Sequence, residues 1–350
     1  MKLYGWLGFL LLLISEYCLF RRIEPFYTWF YSFAWWSFIL LADNLLLRLR
    51  GRSLLCGRRA DFWRMLPLSV FIWLIFEGYN LALRNWAYDG VPAEIWIRWA
   101  GYFVAFATVL PGIFIAADIF EFILFGPQAP PFASQAGELP APPATPRLPM
   151  LAPLGLCLSA APLLWPRYFF PMIWVGPIFL LDPFLERLGL QSLSLRFSAG
   201  DRRRVFSLLA GGLFSGVLWE FWNFWAAARW IYSVPFFGNW KIFEMPLLGF
   251  LGFPPFALEC WILYHLLTQM QRRLRSRPAR AAFWLGIGLF CILMFHAIDA
   301  HTVLHFASTG HGGAKPRSAK NAFVAAAVRA TDRVPPCLIT LSAHAGSIPV

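Results

Sequence analysis

Apolar residues run along this chain in blocks of about twenty, broken by short polar stretches. The blocks cover residues 3–20, 26–47, 63–83, 96–125, 150–165, 168–184, 205–228, 240–267 and 281–304. A block of that length spans the ~30 Å hydrocarbon core of a bilayer as a helix. Helices are required because lipid-exposed backbone must satisfy its hydrogen bonds within the segment. Pro111–Gly112, Pro177 and Pro254–Pro255 interrupt three blocks and predict kinks. The fifth and sixth blocks are short and bounded by proline. The pattern therefore predicts an all-α polytopic membrane protein of about nine transmembrane helices.

Composition agrees. Of 350 residues, 59% are hydrophobic, 18% aromatic and 14% charged. Soluble domains carry about a quarter charged residues, so a soluble enzyme, a disordered chain and a disulfide scaffold are excluded. The six cysteines are scattered singly, without the spacing of a zinc site or a disulfide framework. No metal site is expected, and the sequence leaves any cofactor unknown. The first block lacks a small-residue cleavage site and reads as a retained helix.

The net charge of +12 falls mostly into three loops. Arg48, Arg50, Arg52, Arg58, Arg59 and Arg64 lie between blocks two and three. Arg187, Arg196, Arg202, Arg203 and Arg204 lie between six and seven, and Arg272, Arg273, Arg275, Arg277 and Arg280 between eight and nine. In a nine-span topology these loops share one side. The positive-inside rule makes that side cytoplasmic and puts the N-terminus there, in an inner-membrane multi-pass protein. Membrane lipids are then the expected partners and nucleic acid is not. The charge says nothing about oligomeric state.

The chain matches itself at a shift of 143 residues. Glu77 meets Glu220, Asn80 meets Asn223, Val91–Pro92 meets Val234–Pro235, and Pro111 meets Pro254. A one-residue slip adds Trp86 with Trp230 and Tyr88 with Tyr232. A smaller shift pairs Trp35 with Trp174, Asp43 with Asp182 and Arg48 with Arg187. The expected organisation is a four-helix membrane repeat over 1–126 and a proline-rich cytoplasmic linker over 127–149. A second four-helix repeat follows over 150–268, then an arginine-rich loop with a ninth helix over 269–305 and a disordered tail over 306–350. Four crossings return the chain to its starting side, so the repeats are parallel and related by an axis along the membrane normal.

A carboxylate inside hydrocarbon costs several kcal/mol and so should face the bundle interior with a partner. The repeated motif E-x2-N, W-x-Y, V-P puts Glu77 and Glu220 in that position. Asn80 and Asn223 share a face with their glutamates, three residues on. The bland alternative is that each Glu–Asn pair only ties helices together. The functional one is a paired-carboxylate site in which one Glu stays protonated and Asn orients it. Trp86, Tyr88, Trp230 and Tyr232 fall at the outer interface and are the substrate-binding candidates. Glu244, expected to begin the eighth helix, joins the catalytic set, as do His296 and Asp299 of the ninth. His301 and His305 follow on that helix. Asp118 and Glu259 lie deeper, as satisfied helix contacts or else as a second polar layer or proton path, and Asp43 and Asp182 either pair with Arg48 and Arg187 or cap loops.

The stretch from Trp230-x-Tyr232 through Pro235 to Gly238-Asn239-Trp240-Lys241-Ile242-Phe243-Glu244-Met245-Pro246 resembles the membrane lycopene cyclase-domain family. The resemblance implies tandem membrane repeats and ring closure of carotenoid ends by protonation of a double bond. Glu244 would then be the acid. The family's Pro-x-Glu-Glu signature is absent here, because Met245-Pro246 is followed by Leu247-Leu248. Its repeats usually hold three helices, where four are expected here.

Three functions fit these residues. The first is an enzyme acting on a lipid or isoprenoid by carboxylate acid/base chemistry in the outer half of the bilayer. The second is a proton-coupled transporter or flippase. The third is a structural subunit of a membrane complex.

Overall fold

The computed structural model describes residues 2–126, 148–190, 192–238 and 240–307. The linker expected over 127–149 and the tail expected over 306–350 lie almost wholly outside them. Eight helical segments among the described residues are long and apolar enough to cross a membrane, and Leu151–Leu164 is a shorter apolar helix.

The chain begins with an antiparallel pair, α1 (Leu3–Arg21) and α2 (Phe30–Arg50). Next come α3 (Arg59–Leu83), the strand β1 (Trp86–Val91), and two consecutive pieces, α4 (Ile95–Phe106) and α5 (Val109–Phe125). The second half holds α6 (Leu148–Leu164), the single turn α7 (Pro166–Phe169), α8 (Gly176–Arg187) and the short α9 (Leu193–Ser198). It continues with α10 (Arg203–Trp225), β2 (Arg229–Tyr232), a hairpin of β3 (Lys241–Ile242) and β4 (Met245–Pro246), and α11 (Phe253–Arg273). Finally α12 (Arg277–His301) runs into β5 (Val303–Phe306).

Prolines set several of these boundaries. The fourth block was expected to kink at Pro111–Gly112, and it breaks just before, at Ala107–Thr108. Pro111 cannot donate to the carbonyl four residues back and its ring would crowd it. The Ser69 hydroxyl of α3 spans the break, donating to the Phe106 carbonyl at 2.6 Å and accepting from the Leu110 N–H at 3.0 Å. Pro254 and Pro255 were expected to interrupt the eighth helix. They lie in the first turn of α11 instead, where a missing N–H costs nothing. That helix therefore starts at Phe253, and residues 240–252 form the hairpin and a 3-10 segment. Glu244 consequently sits in the β3–β4 turn and not at a helix start.

Three helices deliver strands to one end of the bundle. β1 pairs antiparallel with β2 and parallel with β5. Gly90, at φ +71°, brings β1 against the loop before β2, where a Cβ would stand 2.6 Å from the Ala227 carbonyl oxygen. The opposite end is rich in arginine. There Glu121 of α5 lies 3.5 Å from Arg50 of α2 and 3.2 Å from Arg204 of α10, and Arg204 also reaches Asp118 at 3.5 Å. Glu121, Arg50 and Arg204 all have buried side chains. Close packing supports the cluster: a Cβ on Gly211 of α10 would meet the Ala117 backbone of α5 at 2.5 Å. Small residues let membrane helices approach in this way.

Removing Glu121 deprives two buried guanidinium groups of a shared counter-charge. Glu121→Ala is expected to cost about 3–5 kcal/mol, read as a lowered unfolding midpoint of the detergent-solubilised protein. Wild-type stability in this variant would show that the cluster contributes nothing.

Candidate functional site

The site is built where two helices turn into strands. α3 ends at Leu83, with Arg84 in the left-handed conformation at φ 54°. The Asn80 side chain then ties the strand back to the helix. Its carbonyl oxygen accepts from the Asn85 N–H at 2.9 Å and the Trp86 N–H at 3.1 Å, and its amide donates to the Trp86 carbonyl at 2.9 Å. Asn223 does the same after α10, accepting from the Trp230 N–H and donating to the Trp230 carbonyl, both at 3.0 Å. Asn80 and Asn223 were expected to orient their glutamates. Their amides pair with the backbone of the strand start, whose buried N–H and C=O groups must be paired.

Orientation of the glutamates falls to the strands. Glu77 accepts from the Trp86 indole N–H at 2.9 Å and from the Tyr88 hydroxyl at 2.5 Å, both on the same oxygen. Glu220 accepts from the Tyr232 hydroxyl at 2.7 Å. The Trp230 indole donates to the Tyr232 hydroxyl, at 2.8 Å. The second half thus holds a relay, Trp230 to Tyr232 to Glu220, where the first half has two donors converging on Glu77. Both carboxyls are fully buried, and the Oε2 atom of each has no hydrogen-bond partner among the described residues. Burial holds the Tyr88 and Tyr232 phenols well above their ordinary pKa, so both remain donors.

The two strands join the two clusters. Trp86 stands opposite Tyr232, Ala87 opposite Ile231 and Tyr88 opposite Trp230. Beneath them lies a cavity of about 40 Å³ whose lining includes Trp73, Trp86, Trp219, Trp230, Tyr232 and Phe256. Tyr232 belongs to this lining and Tyr88 does not. Tyr31 packs edge-on to both Trp219 and Trp230, at 6.0 and 4.8 Å between ring centres.

The remaining candidates are placed as follows. Glu244 is buried beside Lys241, 3.7 Å away, and both lie within electrostatic reach of Glu220. The Lys241 ammonium also donates to the Tyr232 carbonyl at 3.2 Å. Asp299 receives four donors. Arg98 contributes two, at 2.8 and 2.6 Å, Trp99 one at 2.9 Å and Tyr102 one at 3.0 Å. Sharing a face with His296 was expected, but His296 is exposed while Asp299 turns to α4. His301 is exposed at the end of α12, and His305, expected on the same helix, lies on β5 at 3.0 Å from Asp89. Asp43 and Asp182 cap loops. Asp43 accepts from Ser53 and the Leu55 N–H, and Asp182 from Ser194 and the Leu193 N–H.

So Glu220, Tyr232, Trp230 and Glu244 come together, Glu77 keeps to its own motif with Trp86 and Tyr88, and Asp299 serves Arg98. Reasoning from the sequence missed the strands themselves. The signal was present: Trp86-Ala-Tyr88 and Trp230-Ile-Tyr232 alternate at period two, the mark of a strand. It also missed Arg98 and Tyr102, which tertiary contact brings to Asp299, and Lys241, which lies three residues from Glu244.

Glu259 of α11 stands apart from these clusters. It is 1% exposed, and neither carboxyl oxygen has a partner among the described residues. An unsatisfied buried polar group destabilises by about 1–3 kcal/mol. Glu259→Met should therefore raise the unfolding midpoint in detergent, and a lowered midpoint would contradict this placement. Asn80→Ala should lower it by about 1–3 kcal/mol by orphaning the Asn85 and Trp86 N–H groups. Asn80→Asp, which keeps the acceptor, should lose less in the same melting assay.

No family model matches the chain, no curated protein matches it, and no solved structure matches its fold.

Proposed function

We propose that this protein is a membrane enzyme that applies carboxyl acid/base chemistry to a lipid or isoprenoid group held in the aromatic cavity. Glu220 and Tyr232 form the working pair. The observation that carries the reading is Tyr232, which belongs to the cavity lining and whose hydroxyl is hydrogen-bonded to a buried carboxyl with one bare oxygen. In this reading the carboxyl carries the proton, because an unpaired charge is costly to bury. The Tyr232 hydroxyl turns from Glu220 to the cavity, gives its own proton to a double bond there and takes the carboxyl's proton in its place; a proton lost from a neighbouring carbon returns to the carboxyl by the same route, with no net redox change. The indole faces of Trp73, Trp86, Trp219 and Trp230 stabilise the intervening cation.

Size narrows the substrate. A buried water needs roughly 10–15 Å³ of such space, so 40 Å³ is room for a few waters. That suits the branched end of a chain and not a whole lipid. Lys241 and Glu244 adjust the charge around Glu220 and have no counterpart among the residues bonded to Glu77. The resemblance to the cyclase-domain family fits this chemistry, with Glu220 in place of Glu244 as the acid.

The matched joints support a duplication of the membrane unit. A local two-fold axis through the Ala87–Ile231 pair would carry Trp86 onto Trp230 and Tyr88 onto Tyr232. It would then exchange the Trp86–Tyr232 pair with the Tyr88–Trp230 pair, as the antiparallel register allows. Parallel repeats are related by an axis of this kind. The positive-inside rule puts the arginine end in the cytoplasm, and the strands with the site on the opposite side.

One observation favours the structural-subunit reading instead. Each glutamate is held by the strand that its own helix delivers, which closes a joint without any substrate. For the transporter reading nothing comparable stands, since the cavity lining includes neither Asp118 nor Glu259.

Lipid extracts from cells expressing wild type, Glu220→Gln and Tyr232→Phe decide between the readings. The enzyme predicts a lipid or isoprenoid species that wild type forms and both variants lose by about 10²-fold or more, detected by mass spectrometry. Identical lipid profiles for folded variants would overturn it, and would favour a subunit if the variants also lose a co-purifying protein.

A further inference from the structure

A second apolar feature lies on the flank of the bundle, toward the arginine end. A groove of about 530 Å³ runs between α2 and α5, walled by Phe38 and Leu45 on one side and Ile119 and Ile123 on the other, with Phe214 of α10 contributing. It is more than ten times as large as the central cavity, and several wall residues are exposed. Arg48 closes its polar end.

Its length matches one leaflet. From Phe38 to Arg48 the helix advances ten residues, about 15 Å at 1.5 Å each. Half of a ~30 Å hydrocarbon core is the same distance. A chain in the groove would thus run from mid-bilayer to the surface and end at a guanidinium group.

That guanidinium is available. Asp43, the nearest acid along α2, is taken up by Tyr4, Ser53 and the Leu55 N–H. Arg50 turns to Glu121. Arg48 is exposed and forms no ion pair among the described residues. A guanidinium group holds phosphate through paired N–H donors. No carboxylate belongs to the groove lining, so nothing there would meet a cationic headgroup.

We propose that this groove is a binding site for an anionic phospholipid, with one acyl chain between α2 and α5 and the phosphate on Arg48. The site is independent of the cavity beneath the strands. Charge sets the lipid class and the groove sets the chain's position.

Native mass spectrometry of the full chain in detergent tests this, with phosphatidylglycerol and phosphatidylcholine added in turn and the first bound lipid counted. Wild type is expected to prefer phosphatidylglycerol about tenfold, equivalent to about 1.4 kcal/mol. Arg48→Gln should abolish the preference, and Arg48→Lys should retain most of it. Leu45→Trp, which fills the groove from an exposed position, should reduce binding of both lipids. Equal binding of the two lipids by wild type, an undiminished preference in Arg48→Gln, or undiminished binding in Leu45→Trp would each overturn the proposal.

Discussion

A carboxyl group buried near the end of a membrane helix must find its donors close by, because the bilayer supplies none. That constraint organises the strand end of this molecule. Glu77 and Glu220 are met by aromatic donors on the strand that follows each helix, and Asn80 and Asn223 fix those strands in place. The strands have backbone groups of their own to satisfy, and they do so by pairing with each other. A buried acid, a helix end and a strand pair therefore depend on one another, and the aromatic cavity is the space they enclose.

The two joints are alike in construction and differ in wiring. On the α3 side both Trp86 and Tyr88 converge on Glu77, which leaves neither hydroxyl nor indole to spare. On the α10 side Trp230 supports Tyr232, and Tyr232 alone contacts Glu220. Tyr232 is also part of the cavity lining. Asp299 enlarges the difference: through Arg98, Trp99 and Tyr102 it fastens α12 to α4, on the Glu77 side.

Much of this was legible in the chain. The apolar blocks located the long helices, and the recurring Glu, Asn, Trp and Tyr located both joints. Rare polar residues in an apolar chain have few ways to be satisfied, so their positions carry information that leucines do not. The strands were hidden by their setting: short alternating segments beside long apolar blocks read as interface anchors, although Trp86 and Tyr88 alternate with Ala87. The start of α11 was misplaced because residues 240–252 are as apolar as a helix, and only Pro254 and Pro255 marked the boundary. Partners such as Arg98 and Asp299 are 201 residues apart, and no local pattern connects them.

The break between α4 and α5 has a mechanical consequence. A gap in a membrane helix is ordinarily a hinge, since unpaired backbone groups give it freedom to swing. Here the Ser69 hydroxyl bridges that gap from the side, accepting one hydrogen bond and donating another. The two pieces are pinned to α3 at mid-depth and form a rigid elbow. A displacement of α4 by the strand end is then passed along to α5 and its acid at the far end, where a free hinge would have absorbed it.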